Sequence, residues 1–245
     1  MLKALSLFTG AGGMDIGFQS QGFNVVAGIE LDPSCCETLR TNMGIPIIEG
    51  DIRDIDGVEL LNELKLKVGE LDLVFGGPPC QPFSLAGNRK GLDDTRGQLV
   101  GEFIRIVKEL KPKSFVLENV SGMVSWSKGQ VIQMIVDEFK GNMLFDKKHI
   151  SYKVTHKVLD ASNYGVPQHR KRLFIVGNRL GKSFEFPKPT HSKNSDSDGR
   201  SKCSVIKPFV TVGDALEGLP AVDKPSQAAI RVSQTIKDRR KRHGY

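Results

Sequence analysis

Three observations predict an α/β fold, with a mostly parallel sheet and helices on both faces. Short apolar runs alternate with amphipathic segments, the first run feeds a glycine-rich turn, and acidic or polar residues repeatedly close the runs. Leu2 to Phe8 reads as the first strand, followed by the turn "TGAGG" and a helix that opens near Gly13. "NVVAGIE" (24–30) is a second strand ending on Glu30, and the helical "PSCCETLRTNM" (33–43) begins at Pro33, where a missing N–H is tolerated. "PIIEGDI" (46–52) is a third strand that closes around Asp51.

After the amphipathic "DGVELLNELK" comes a buried strand, "LDLVF" (71–75), and directly behind it the turn "GGPPCQPFS" (76–84). "GQLVGEFIRIVKELKP" (97–112) carries Leu99, Phe103, Ile106, Val107 and Leu110 at helical spacing and stops at Pro112. "SFVLENV" (114–120), a helix over 129–139, and the strands "HKVLDA" and "RLFIVGN" follow, the last two separated by "SNYGVPQHRKR". Sheets of this kind bind ligands at the carboxyl ends of their strands, where most of the candidate functional residues fall. From about residue 185 the chain turns polar, charged and aperiodic, which divides it into a folded body over 1–184 and a linker with a further segment over 185–245.

The chain has 245 residues, of which 39% are hydrophobic and 26% charged, enough to bury a substantial core. No apolar stretch approaches the roughly 20 residues of a membrane-spanning helix, and no signal-peptide pattern opens the chain, so a cytoplasmic location without membrane contact is expected. A net charge of +7 suits a polyanionic partner. Four cysteines without CxxC or CxxH pairing argue against a disulfide framework or a zinc site.

Four constellations carry chemistry. In "LFTGAGGMDIGF", Gly10, Gly12 and Gly13 allow close backbone approach to a ligand ahead of a helix N-terminus. A dinucleotide fingerprint requires a sixth-position glycine where this chain has Asp15, which disfavours a nicotinamide-dependent oxidoreductase. Glu30, about 20 residues on, suits ribose hydroxyls, and Asp51 suits an adenine amino group; together they point to S-adenosylmethionine. In the second, Pro78, Pro79 and Pro82 fix the backbone around Cys80, a candidate nucleophile that reacts as thiolate. In the third, "ENV" (118–120), Glu118 can offer a proton or hydrogen bond to a ring nitrogen. In the fourth, "QHRKR" (168–172), extended backbone would put Arg170 and Arg172 on one side, able to grip an anion.

Taken together, these residues resemble the cytosine-5 DNA methyltransferases, especially bacterial modification enzymes. "FTGAGG", "GGPPCQPFS", "RGQL" (96–99), "ENV" and "NYGVPQHRKR" are similar to five motifs of that family and occur in its order over residues 1 to about 180. The resemblance implies a Rossmann-like S-adenosylmethionine-dependent methyltransferase fold and double-stranded DNA as substrate, within a restriction-modification system. Catalytic roles fall on Cys80, Glu118, Arg170 and Arg172, and cofactor contacts on Phe8, Gly10, Ala11, Gly12, Gly13, Glu30, Asp51, Ile52, Pro79 and Leu99. DNA contacts fall on Gln81, Ser84, Arg89 and Lys90, beside a flipped cytosine. The family's closing motifs are not recognisable after the arginine motif, and "TVGDALEGLP" (211–220) resembles only the entrance to the recognition region. The expectation is therefore a catalytic domain over 1–184, an incomplete recognition region over 185–245, and a second subunit carrying the recognition domain and C-terminal motifs. A transfer RNA cytosine-5 methyltransferase on the same scaffold, or an inactive DNA-binding regulator, stays open as an alternative; the joint presence of Cys80, Glu118, Arg170 and Arg172 argues against the regulator.

Overall fold

The computed structural model describes residues 1–79, 98–141, 143–193, 206–219, 226–227, 230–231 and 234–235. The β-strands of the main body are β1 (Leu2–Leu7), β2 (Phe23–Glu30), β3 (Ile47–Glu49), β4 (Leu73–Gly76), β5 (Ser114–Val120), β6 (Met143–Phe145), β7 (Lys148–Ile150), β8 (Lys153–Asp160) and β9 (Lys171–Asn178). Among the described residues, seven of them form one sheet in the order β3-β2-β1-β4-β5-β9-β8, while β6 and β7 pair as a separate hairpin. Pairing is parallel from β3 through β5, and β9 and β8 extend the sheet antiparallel. The α/β expectation holds for the described residues, with this antiparallel edge added.

Helices α1 (Gly13–Ser20), α2 (Pro33–Asn42), α3 (Gly57–Glu63), α4 (Gln98–Leu110) and α5 (Gln130–Lys140) connect or cover the strands. Register sorts the sheet into two faces, because successive side chains alternate. Leu5, Leu7, Val74, Phe115, Leu117 and Ile175 point to one face and share a core cluster with residues of α3, α4 and α5. Ala4, Val25, Leu73 and Phe75 point to the other, where Met14 and Phe18 of α1 pack on them. The buried face of α4 is the one expected from spacing, with Phe103, Ile106, Val107 and Leu110 all fully buried. Phe115 and Phe139 stack with ring centroids 4.2 Å apart, joining β5 to α5.

Some boundaries differ from the sequence expectation for physical reasons. The strand at 46–52 shortens to β3 because Asp51 caps a 3-10 turn over Ile52–Asp54 through its side chain. The hairpin β6–β7 carried no alternation long enough to announce itself; its turn residues Asp146 and Lys147 both take positive φ. The chain also divides into two compact units, Met1–Asp160 with Arg170–Lys188, and Ala161–His169 with the described residues from Pro189 onward. In the second, β10 (His191–Ser192) pairs with β11 (Lys207–Pro208), and α6 (Val212–Leu216) is opened by a Thr211–Asp214 capping box. The Ser162 hydroxyl lies 3.0 Å from His169 Nδ1 in that unit.

Among the described residues, one buried polar side chain opposes the fold. Asp15 on α1 is fully buried, and among the described residues neither carboxylate oxygen has a hydrogen-bond partner. Burial pushes its carboxyl above the ordinary carboxylate range. A raised carboxyl is neutral in the folded chain at pH values where it ionises in the unfolded one, so its contribution favours folding at low pH and is lost as pH rises through the folded value. Asp15→Asn, which removes the ionisation, is expected to stabilise the protein by about 1–3 kcal/mol at pH 8, and by less at pH 4.5. Urea denaturation at the two pH values checks this; an equal gain at both would show that ionisation of Asp15 does not oppose folding.

Candidate active site

The carboxyl ends of β1 and β2 build the first half of the site. β1 runs into Phe8, whose φ of 54° lies in the left-handed region, and then into the glycine turn. Glu30, at the end of β2, holds that turn: its Oε2 accepts from the Gly10 N–H at 2.6 Å, and its Oε1 accepts from the N–H groups of Leu31 and Asp32, both at 2.9 Å. Gly12 caps α1 at φ 86°, and a Cβ there would lie 2.8 Å from Leu39 Cδ2 and closer still to the Met43 sulfur. Only glycine meets both demands. Ala11 is exposed at the tip of the turn and Gly13 opens α1.

Beside this turn lies a cavity of about 800 Å³. Phe8, Glu30, Asp51, Ile52, Pro79 and Leu99 all line it, so six of the expected cofactor residues, drawn from five separate places in the chain, meet at one wall system. Gly10, Ala11, Gly12 and Gly13 do not line it; the turn reaches it through Phe8 and Glu30. Phe8, Ile52 and Leu99 supply apolar surface for a planar ring, while Glu30 and Asp51 supply acceptors for hydroxyl and amino hydrogens. With three backbone donors already bound, the Glu30 carboxylate retains acceptor capacity on Oε2. The residues present therefore fit a nucleoside such as that of S-adenosylmethionine.

Sequence reasoning missed Ile29, Leu31, Asp32, Pro33, Gly50, Arg53 and Gly77 of this wall. Leu31 is exposed at its mouth, and Arg53 grips the Asp51 carboxylate with both its Nε, at 2.9 Å, and a terminal nitrogen. That hydrogen bonding holds the Asp51 carboxyl down to about 2. The signal for Arg53 was available in its two-residue spacing from Asp51; Leu31, a lone apolar residue in a loop, gave none.

The ends of β4 and β5 build the second half. Glu118 Oε1 is 2.9 Å from Arg172 Nε, a half-buried ion pair across the β5–β9 ladder. A Cβ on Gly77 would stand 2.9 Å from Glu118 Oε2, so the glycine leaves room for the carboxylate beside the strand-to-turn junction. Asn119, pointing to the opposite face, donates from Nδ2 to the buried Pro78 carbonyl at 3.1 Å. Arg170 is exposed, lies just ahead of β9, and is tied through its backbone N–H to Asp160 at 3.0 Å. Cys80, Gln81, Ser84, Arg89 and Lys90 lie outside the described residues. The structure thus joins Glu118 and Arg172 directly, whereas Arg170 is fixed through its backbone.

With this geometry in hand, comparison with known proteins is decisive. The C-5 cytosine-specific DNA methylase family model matches residues 2–242. The chain belongs to this family. It is 53% identical to the type II methyltransferase M.AquIA of Picosynechococcus sp., over 99% of each chain. It is 37% identical to the type II methyltransferase M.NgoFVII of Neisseria gonorrhoeae over 89% of this chain, which spans about half (53%) of that relative's length. A prophage-encoded DNA modification methyltransferase of E. coli superposes with a TM-score of 0.70 at 27% identity, covering 91% of this chain and 56% of that one. The Rossmann-like methyltransferase fold expected from the motifs is the fold found.

Asn119 offers a direct test of how the turn is held. Asn119→Ala leaves the buried Pro78 carbonyl without its donor and is expected to destabilise the protein by about 1–3 kcal/mol. A urea midpoint unchanged from wild type would remove Asn119 from this role.

Proposed function

We propose that this chain methylates C5 of cytosine in duplex DNA through a covalent adduct at Cys80, with S-adenosylmethionine as donor and the target base flipped out of the helix. The observation that carries the reading is the meeting of Glu118, Arg172 and Gly77 at the strand end that leads to Cys80. Cytosine C5 is a weak nucleophile. In this reading the Cys80 thiolate adds to C6, and the electron pair of the C5–C6 double bond becomes available at C5. Glu118 hydrogen bonds or donates a proton around N3 and the 4-amino group, drawing the developing charge into the ring, while Arg172 fixes the Glu118 carboxylate. Once C5 carries the methyl group, loss of its proton restores the double bond and expels Cys80.

S-adenosylmethionine, when bound, supplies a methyl group on a sulfonium, electrophilic towards a carbon nucleophile. Phe8, Glu30, Asp51, Ile52, Pro79 and Leu99 would hold it, with Gly10, Ala11, Gly12 and Gly13 shaping the adjoining turn. Arg170 would hold substrate with Arg172, and Gln81, Ser84, Arg89 and Lys90 would approach the DNA. In the same reading residues 1–184 are catalytic and 185–245 enter a recognition region completed by a second polypeptide. The match along all of M.AquIA, set against half the length of M.NgoFVII, is what supports the second polypeptide in this reading.

Covalent trapping tests the proposal. A duplex carrying 5-fluorocytosine, incubated with S-adenosylmethionine, should retain the protein, because fluorine cannot leave as a cation. The adduct is expected to require the companion polypeptide and to vanish in Cys80→Ser. An adduct from this chain alone would overturn the need for a partner, and none under either condition, with cofactor binding established, would overturn the cytosine adduct in DNA.

A further inference from the structure

The wall of the cavity formed by residues 51–53 is a short turn whose Ile52 side chain is buried in the main core, and whose backbone carbonyls are tied by one side chain from α4. Arg105, in the middle of α4, donates from Nη2 to the Ile52 carbonyl at 2.8 Å and from Nη1 to the Ile55 carbonyl at 3.0 Å. Its Nε donates to Glu102 at 2.7 Å, and Nη1 also meets both oxygens of Glu109, at 2.9 and 3.0 Å. Glu109 Oε2 in turn accepts the Gly57 N–H at 2.9 Å, at the start of α3. One guanidinium thus spans both ends of the 3-10 turn, and its partner carboxylate secures the residue where the chain enters the next helix.

The same helix carries Leu99, on the cavity wall, six residues before Arg105. At about 1.5 Å per residue that separation is roughly 9 Å along the axis. α4 therefore presents one wall directly and fixes the second through Arg105. We infer that Arg105 is a positioning residue for the cofactor: it sets the place of Ile52 and Asp51 relative to Leu99 without touching the ligand. The inference rests on the reading of the cavity as the S-adenosylmethionine site. The planar fork is essential to it, since a lysine ammonium cannot direct fixed donors at two carbonyls and two carboxylates together.

Three variants of the full-length chain, Arg105→Met, Arg105→Lys and, as a control for the site itself, Glu30→Gln, are titrated with S-adenosylhomocysteine. Hydrogen exchange of the amides over 52–57 is followed without ligand. Arg105→Met is expected to raise Kd about tenfold and to speed exchange over 52–57, and Arg105→Lys to recover part of both. In the assembled enzyme, KM for S-adenosylmethionine rises while kcat at saturating cofactor stays within about twofold of wild type. Wild-type exchange and wild-type Kd in a folded Arg105→Met protein overturn the inference, as does a fall in kcat with KM unchanged. If Glu30→Gln leaves the wild-type Kd untouched, the cofactor reading of the cavity fails, and the exchange measurement still decides whether Arg105 braces the turn.

Discussion

A single carboxylate organises the edge of the sheet on which the rest depends. Glu30 accepts three backbone N–H groups, one from the glycine turn after β1 and two from the loop after β2. Parallel strands leave their ends as separate loops with no ladder between them, so something beyond the sheet must register one loop against the next. A charged acceptor does this strongly, because hydrogen bonds to an ionised group are about twice as strong as neutral ones. The site is consequently a property of two loops tied together, and neither the glycines nor the acid would define it alone.

The second half of the site uses strand alternation. Glu118 and Asn119 are consecutive on β5, so their side chains leave opposite faces. Glu118 takes the face where Arg172 and Gly77 wait, while Asn119 takes the other and holds the Pro78 carbonyl. One dipeptide thereby supplies the carboxylate that pairs with Arg172 and secures the turn beside it.

Much of this was legible in the amino-acid sequence. Alternating apolar runs gave strands and helices in order, since burial on both faces leaves near-continuous hydrophobic stretches. The motifs gave Glu30, Asp51, Glu118 and Arg172, because acids at strand ends and an arginine pair stand out locally. What escaped is non-local. Arg53 and Leu31 join the cavity through loop geometry, Asn119 acts through a carbonyl 41 residues away, and Arg105 through carbonyls 50 and 53 residues away. The antiparallel run of β9 and β8 was equally hidden, since side-chain alternation carries no strand direction.

Phe8 places an aromatic ring on the cavity wall from a backbone held at φ 54°. A side chain in that region costs about 1–2 kcal/mol, which glycine would not incur. Conformational ease and ring surface therefore pull this position towards different amino acids. Enrichment of a variant library by heat resistance alone would drift towards glycine at position 8 and erode the cavity, whereas enrichment by any function that needs the cavity wall intact would keep the ring and its strained backbone.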